Sequence, residues 1–135
     1  MAPGEVEFIV ENNAVGTIAF DRNAVETVLL NLLVNAHKYT GVDKRVTLRS
    51  VDEPDAVLLE VEDNGIGIPK SEQNKIFEPF YRSDERLRSQ AAGAGLGLAI
   101  VRALVTAHGG TIEAWDGSET GTVMVVRLPA TGETS

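Results

Sequence analysis

Hydrophobic and polar positions change their period several times along the chain, and each change predicts a different element. Residues 5–10 and 17–20 read as short strands, joined by a turn at Asn12-Asn13 with Gly16 nearby. From Asp21, a good N-cap, the spacing lengthens to that of a helix reaching about Tyr39, with Thr40-Gly41 ending it. Two alternating runs follow, 45–51 and 57–62, separated by Asp52-Glu53-Pro54-Asp55. That pattern predicts a β-hairpin whose loop is longer than the tightest turns. Residues 63–69 form a glycine-rich loop, and 71–77 have room for one short helix. The stretch 83–94 is polar, small and aperiodic, which predicts a mobile loop. Compact domains keep loops of that length for parts that move or bind. A second helix is expected from about Gly95 to Ala107, because Leu98, Val101, Leu104 and Val105 recur at helical spacing. Gly109-Gly110 stops it. Residues 111–115 and 122–128 make a closing hairpin around 116–121.

The predicted order is ββ-α-ββ-loop-α-ββ. This is an α+β chain, a two-layer α/β sandwich whose mixed, mainly antiparallel sheet is covered on one face by helices. Residues 5–129 are expected to form the one domain. Met1-Ala2-Pro3-Gly4 reads as a start left by cloning, and 130–135 as a flexible tail.

Composition narrows the function classes. The 135 residues suffice for one core, and the hydrophobic share of 43% with 24% charged is that of an ordinary globular protein. With no cysteine, disulfides and thiolate metal sites are excluded, which agrees with a cytoplasmic setting. No apolar run approaches the ~20 residues of a membrane span, and no signal peptide is visible. The net charge of −8 disfavours gripping nucleic acid through its phosphates. It leaves room for a small anion, which needs only local donors and a divalent cation.

Three constellations carry chemistry. On the first helix Val25, Val28, Leu29, Leu32, Leu33 and Ala36 gather on one broad face, while Asn31, Asn35 and Lys38 fall on a separate stripe. Carboxamide oxygens are hard ligands suited to Mg²⁺, and a lysine one turn on is a point charge for phosphate. The bland alternative is a solvated polar stripe. The second is Asp63-Asn64-Gly65-Ile66-Gly67-Ile68-Pro69 after a strand. Its glycines let the backbone approach a flat ligand, and its aspartate can accept from an exocyclic amine such as that of adenine. The alternative there is a plain Asp-Asn-Gly turn. Third, Gly93-Ala94-Gly95-Leu96-Gly97-Leu98 opens a helix, where amides and the positive helix end suit phosphate. It lacks the spacing of a dinucleotide fingerprint and the Gly-Lys-Ser/Thr ending of a P-loop.

Taken together, these segments resemble the sensor histidine kinases of bacterial two-component systems. Residues 31–40 (NLLVNAHKYT) resemble that family's N box, 63–69 its G1 box, 76–82 (IFEPFYR) its F box and 93–101 (GAGLGLAIV) its G2 box. They stand in family order, and the resemblance covers roughly residues 5–128. It implies the Bergerat sandwich of the wider GHKL superfamily, with ATP and Mg²⁺ as cofactors. By that resemblance Asn35 ligates Mg²⁺ and Asn31 assists. Lys38 contacts phosphate and Tyr39 packs near base or ribose. Asp63 receives the adenine amine, with Gly65, Gly67 and Ile68 lining the purine loop. Gly93, Gly95, Leu96, Gly97 and Leu98 form the hinge and phosphate-facing end of a lid. Arg82 is a looser carry-over that steadies the γ-phosphate. Phe77 and Phe80 are the F-box aromatics, for which core anchoring is the alternative to ligand contact. Ala94 stands where the family often has Thr or Ser, so one hydroxyl contact is missing.

Hydrolases and serine kinases of the same superfamily usually carry a glutamate base four residues before the metal-binding asparagine. Here that position is Asn31, and a carboxamide takes up no proton near neutral pH. A neutral histidine acceptor is itself nucleophilic and needs less help. The resemblance therefore implies ATP-dependent phosphorylation of a histidine, catalysed with Asn31, Lys38 and Arg82. His37 and His108 are not followed by an acidic residue and read as surface or capping residues, so the acceptor is expected outside the chain. The implied partners are ATP, the dimerisation and acceptor domain of a parent kinase and, indirectly, a response regulator. Nucleic acid and direct membrane contact are not expected, although the parent could be membrane-anchored, and the fragment is expected to be monomeric. Two other functions remain open at this point: a degenerate nucleotide-binding regulatory module, and a small ATP hydrolase.

Overall fold

Asp21 starts the first helix in the way its side chain predicts. Its Oδ2 accepts from Ala24 N at 3.0 Å, and its carbonyl accepts the first helical bond from Val25 N at 2.9 Å. The structure, a computed structural model, describes residues 6–38, 44–79, 97–117 and 120–131, and the side chains of Val6, Ala36, His37, Lys38 and Lys44 lie outside that description. Along the described residues run β1 (Val6–Asn12), α1 (Arg22–Lys38), β2 (Lys44–Glu53), β3 (Ala56–Asp63), α2 (Gly97–Ala107), β4 (Thr111–Asp116) and β5 (Thr122–Pro129).

The strands form one five-stranded sheet in the order β1-β2-β3-β5-β4. The β1–β2 pair is parallel, and the other three pairs are antiparallel. Strand alternation turns one face toward the helices. Val46, Val57, Val61, Ile112, Ala114, Met124, Val126 and Leu128 are buried there. Ala24, Val28 and Leu32, each four residues apart, bury the facing stripe of α1, and Val101 and Val105 do the same for α2. Leu98 and Leu104 pack against this core as their spacing predicts. The result is the expected two-layer sandwich, with the far face of the sheet left to solvent.

The end of α2 explains how the chain re-enters the sheet. Gly110 N donates to Val105 O at 2.9 Å, Gly109 N donates to Thr106 O at 3.0 Å, and Gly109 has φ 82°. This is the paired bonding of a Schellman cap, and it requires the left-handed residue that glycine supplies.

Three expectations need correction. Residues 17–20 are no strand, since only an isolated bridge joins Ile18 to Ala130. Side chains of β2 hold the preceding loop instead. Ala14 N donates to Ser50 Oγ at 3.2 Å, and Val15 N and Gly16 N donate to the Asp52 carboxylate at 2.8 and 3.0 Å. Thus β1 does not turn back on itself but pairs with β2 across α1, and the order is β-α-ββ-α-ββ. The β2–β3 hairpin is also tighter than predicted. Register runs to Glu53↔Ala56, leaving Pro54-Asp55 as the turn. Polar Asp52 and Glu53 looked like loop, yet strand ends at a solvent-facing sheet tolerate them, and Glu53 Oε1 accepts from Arg127 Nε at 3.1 Å. Residues 71–77 form successive turns rather than a regular helix. The predicted loop 83–94 lies outside the described residues, as does Gly95 at the predicted start of the second helix.

Candidate functional site

The two helices run antiparallel. Gly97 at the start of α2 faces Asn31 in the middle of α1, and His108 after the end of α2 reaches Asp21 at the start of α1. Asn31 Nδ2 donates to Thr27 O at 2.8 Å, which settles the orientation of the amide. Its Oδ1 is thereby turned toward α2, 3.0 Å from where a Cβ on Gly97 would sit. A side chain at position 97 would press on the Asn31 carboxamide. Asn35, one turn further along α1, is half-buried like Asn31. Among the described residues no cluster of three or more His, Cys, Asp or Glu gathers. A metal ion beside α1 would therefore rest on carboxamide, water and ligand oxygens, a set that suits Mg²⁺. The Asn31 oxygen, aimed away from its own helix, fits that use.

The second part of the site lies at the end of β3. Asp63 is only 8% exposed, because its register partner is core residue Val46 and its side chain turns to the helix side of the sheet. A buried carboxylate needs donors. Asp63 Oδ1 accepts from Gly65 N at 2.8 Å, an Asx-turn, and from Thr122 N at 3.3 Å. Gly67, at φ 81°, has a conformation that L side chains rarely adopt, and its missing Cβ faces Gly121 O at 3.4 Å. Gly121 shares that conformation at φ 83° and lies against the Asp63 carbonyl. Ile68 closes the loop into the core, and its carbonyl accepts from Gln73 Nε2 at 3.0 Å. Gln73 Nε2 also donates to Asp116 Oδ1 at 2.9 Å, tying the loop to β4.

Of the residues singled out by the sequence, Asn31 and Gly97 meet across the helix pair, and Asn35 lies one turn further along α1. Asp63, Gly65, Gly67 and Ile68 form one loop at the end of β3. Leu98 is half-buried and packs against the core. Phe77 is buried in the core, which favours anchoring over ligand contact. Tyr39, Phe80, Arg82, Gly93, Gly95 and Leu96 lie outside the described residues, and so does the Lys38 side chain.

Gly121, Thr122 and Gln73 were missed, and Asn64 was seen only as a turn residue. Gly121 read as the end of a hairpin loop and Thr122 as the start of the last strand, and nothing in their spacing signals that β5 starts beside β3. Asp63, Asn64 and Thr120 also line a shallow concavity of about 210 Å³, whose other walls, Arg45, Thr47, Arg49 and Glu62, stand on the sheet face away from the helices. There Arg49 donates to Glu11 and Glu60 at 2.8 and 2.9 Å and to Glu62 at 3.4 Å. Its hydrogen bonds to the Glu11 and Glu60 carboxylates raise its pKa beyond the ordinary arginine value, so it stays charged. That face is a network of satisfied ion pairs.

Residues 20–132 match the family model described as histidine kinase-, DNA gyrase B- and HSP90-like ATPase. Among curated proteins, the circadian input-output histidine kinase CikA of Synechococcus elongatus is 38% identical, over 93% of this chain and 17% of its own length. The probable sensor histidine kinase TcrY of Mycobacterium tuberculosis is 46% identical, over 83% of this chain and 23% of its own. The chain thus spans about a fifth of these relatives. Among solved structures, the mycobacterial sensor histidine kinase MprB superposes with a TM-score of 0.80 at 33% identity, covering 93% of this chain and 82% of that one. Full-length ShkA in complex with AMPPNP superposes with a TM-score of 0.78 at 30% identity, covering 96% of this chain and 27% of that one.

Proposed function

This chain belongs to the histidine kinase-, DNA gyrase B- and HSP90-like ATPase family, and from that premise we propose that it binds Mg²⁺–ATP and supplies the γ-phosphate to a histidine on a separate dimerisation domain. The observation that carries this reading is the Asp63 carboxylate, buried and held by Gly65 N and Thr122 N at the mouth of a glycine loop. A carboxylate so fixed is preorganised to accept from an adenine amine. The ShkA structure with AMPPNP supports an adenine nucleotide for this fold.

The remaining roles follow the same proposal. Asn35 and Asn31 offer oxygens to Mg²⁺, which when bound neutralises phosphate charge. Lys38 and Arg82 contact phosphate, Tyr39 packs near the base or ribose, and Gly93, Gly95 and Leu96 lead the lid into α2. Asn31 accepts no proton at neutral pH, so it cannot activate water, which favours a nucleophile supplied by the partner. An imidazole meets that need, and a response regulator then receives the phosphoryl group from that partner. Of the described residues, no helix is long and apolar enough to cross a membrane.

Calorimetric titration with a non-hydrolysable ATP analogue, with and without Mg²⁺, tests the proposal on the wild type and Asn35→Ala. Saturable one-to-one binding is expected, with its Mg²⁺ dependence lost in Asn35→Ala. Added ATP should then label the histidine of a supplied acceptor domain. Absence of binding in folded protein would overturn the reading. Steady phosphate release to water without an acceptor would favour a hydrolase.

A further inference from the structure

The β2–β3 ladder ends at the pair Val46↔Asp63, yet one more inter-strand bond is made beyond it. Arg45 N donates to Asn64 Oδ1 at 2.8 Å, so a side chain takes the place that a further backbone carbonyl would have held. On its other side Asn64 is held again, since Thr120 Oγ1 donates to Asn64 O at 3.3 Å. Asn64 is therefore pinned to β2 through its side chain and to the turn before β5 through its carbonyl. It is also the single residue between the Asp63 carboxylate and Gly65, whose N–H that carboxylate accepts.

We infer that Asn64 is a positioning residue for purine recognition: its carboxamide oxygen, clamped on Arg45 N, keeps the Asp63–Gly65 Asx-turn closed and the carboxylate aimed at the base. The inference rests on the proposed adenine reading of this loop. Asn64 contacts no nucleotide in this account and acts only through Asp63. The acceptor at position 64 is what matters, so an aspartate, with an oxygen at the same reach, preserves the clamp. Alanine removes it, frees the turn to open, and costs the interaction that depends on the direction of the carboxylate. The rest of the loop keeps its anchors at Ile68 and Gly121, so the fold survives.

The test compares binding of ATP with that of purine riboside triphosphate, which lacks the exocyclic amine, both with Mg²⁺. The proteins are wild type, Asn64→Ala, Asn64→Asp, Thr120→Val and Asp63→Asn. Asn64→Ala should lose about tenfold for ATP, the loss of one well-made hydrogen bond, and much less for the amine-free nucleotide. Asn64→Asp should recover most of that loss. Thr120→Val, at an exposed position that leaves folding intact, should show a smaller loss with the same selectivity. Equal losses for both nucleotides, or no recovery in Asn64→Asp, would overturn the inference. If Asp63→Asn loses its preference for ATP while Asn64→Ala and Thr120→Val keep theirs, the adenine reading stands and the role of Asn64 falls. If the wild type shows no preference between the nucleotides, both fall.

Discussion

Asn31 Oδ1 and Gly97 meet across the α1–α2 pair, with 3.0 Å between the oxygen and the point where a Cβ on Gly97 would lie. That separation is tighter than ordinary van der Waals contact, so a methyl group must push the carboxamide. Gly97→Ala should leave stability within about 1 kcal/mol, because the strain is shared with a helix-favouring substitution. Affinity for a nucleotide with Mg²⁺ should fall by roughly three- to tenfold, an energy of about 0.7–1.4 kcal/mol. Titration calorimetry beside thermal denaturation separates the two effects. Unchanged affinity would mean that the Asn31 carboxamide does not face the nucleotide.

Gly121 presses on the same site from the sheet side. It sits at φ 83°, and an added Cβ would collide with the Asp63 carbonyl and stand 2.7 Å from both Asp63 Oδ1 and Gly65 N. All three contacts are with backbone or a tethered carboxylate, so none can swing away. Gly121→Ala should therefore cost on the order of 2–4 kcal/mol in stability and abolish nucleotide binding. A midpoint of urea unfolding that matches the wild type would contradict this packing.

The contrast between Asn31 and Gly121 shows what a sequence can reveal. Asn31 and Asn35 share a helix, so a period of 3.6 residues puts them on one stripe without knowledge of the fold. The layer architecture was legible for the same reason, since α1, α2 and the two hairpins each carry a local period. Gly121 and Thr122 act on Asp63 from 58 and 59 residues away, and only the β3–β5 pairing joins them. The parallel pairing of β1 with β2 was hidden likewise, because a hairpin and a crossover look alike in residues 5–20. Asn64 was in view as a turn residue, but its function depends on a donor 19 residues away, on Arg45.

At the other end of the helix pair, His108 is more than the surface or capping residue its position suggests. Its ring stacks on Phe20 with centroids 3.9 Å apart and planes 11° from parallel. Nδ1 lies 2.7 Å from Leu104 O, and Nε2 accepts from Asp21 N at 3.3 Å. Those partners require the Nδ1–H tautomer. The imidazole thus joins the last turn of α2 to the cap of α1. His108→Ala should lose about 1–2 kcal/mol from one stack and two hydrogen bonds. A double-mutant cycle with Phe20→Ala should return a coupling of about 0.5–1.5 kcal/mol, and a coupling near zero would show that the stack contributes nothing.

On the opposite face, Arg49 is held by Glu11, Glu60 and Glu62, and its side chain is 26% exposed. Removing the cation leaves Glu60 and Glu62, at 18% and 16% exposure, side by side on one strand face without it. Arg49→Met should then cost more than a surface ion pair, about 1–3 kcal/mol, since charge-assisted bonds are lost and carboxylates stay partly buried. The pKa of Arg49 is raised in the folded state, first by its bond to Glu11 and then by its bond to Glu60. A cation whose pKa rises on folding contributes fully below its unfolded value and loses that contribution only as pH climbs through the folded one. Both lie far above the range of the test, so the cation side gives no titration between roughly pH 6 and 10. Urea unfolding of both proteins across that range should therefore give a constant difference in stability. A difference that shrinks toward pH 10 would mean that the network is held by something other than the guanidinium.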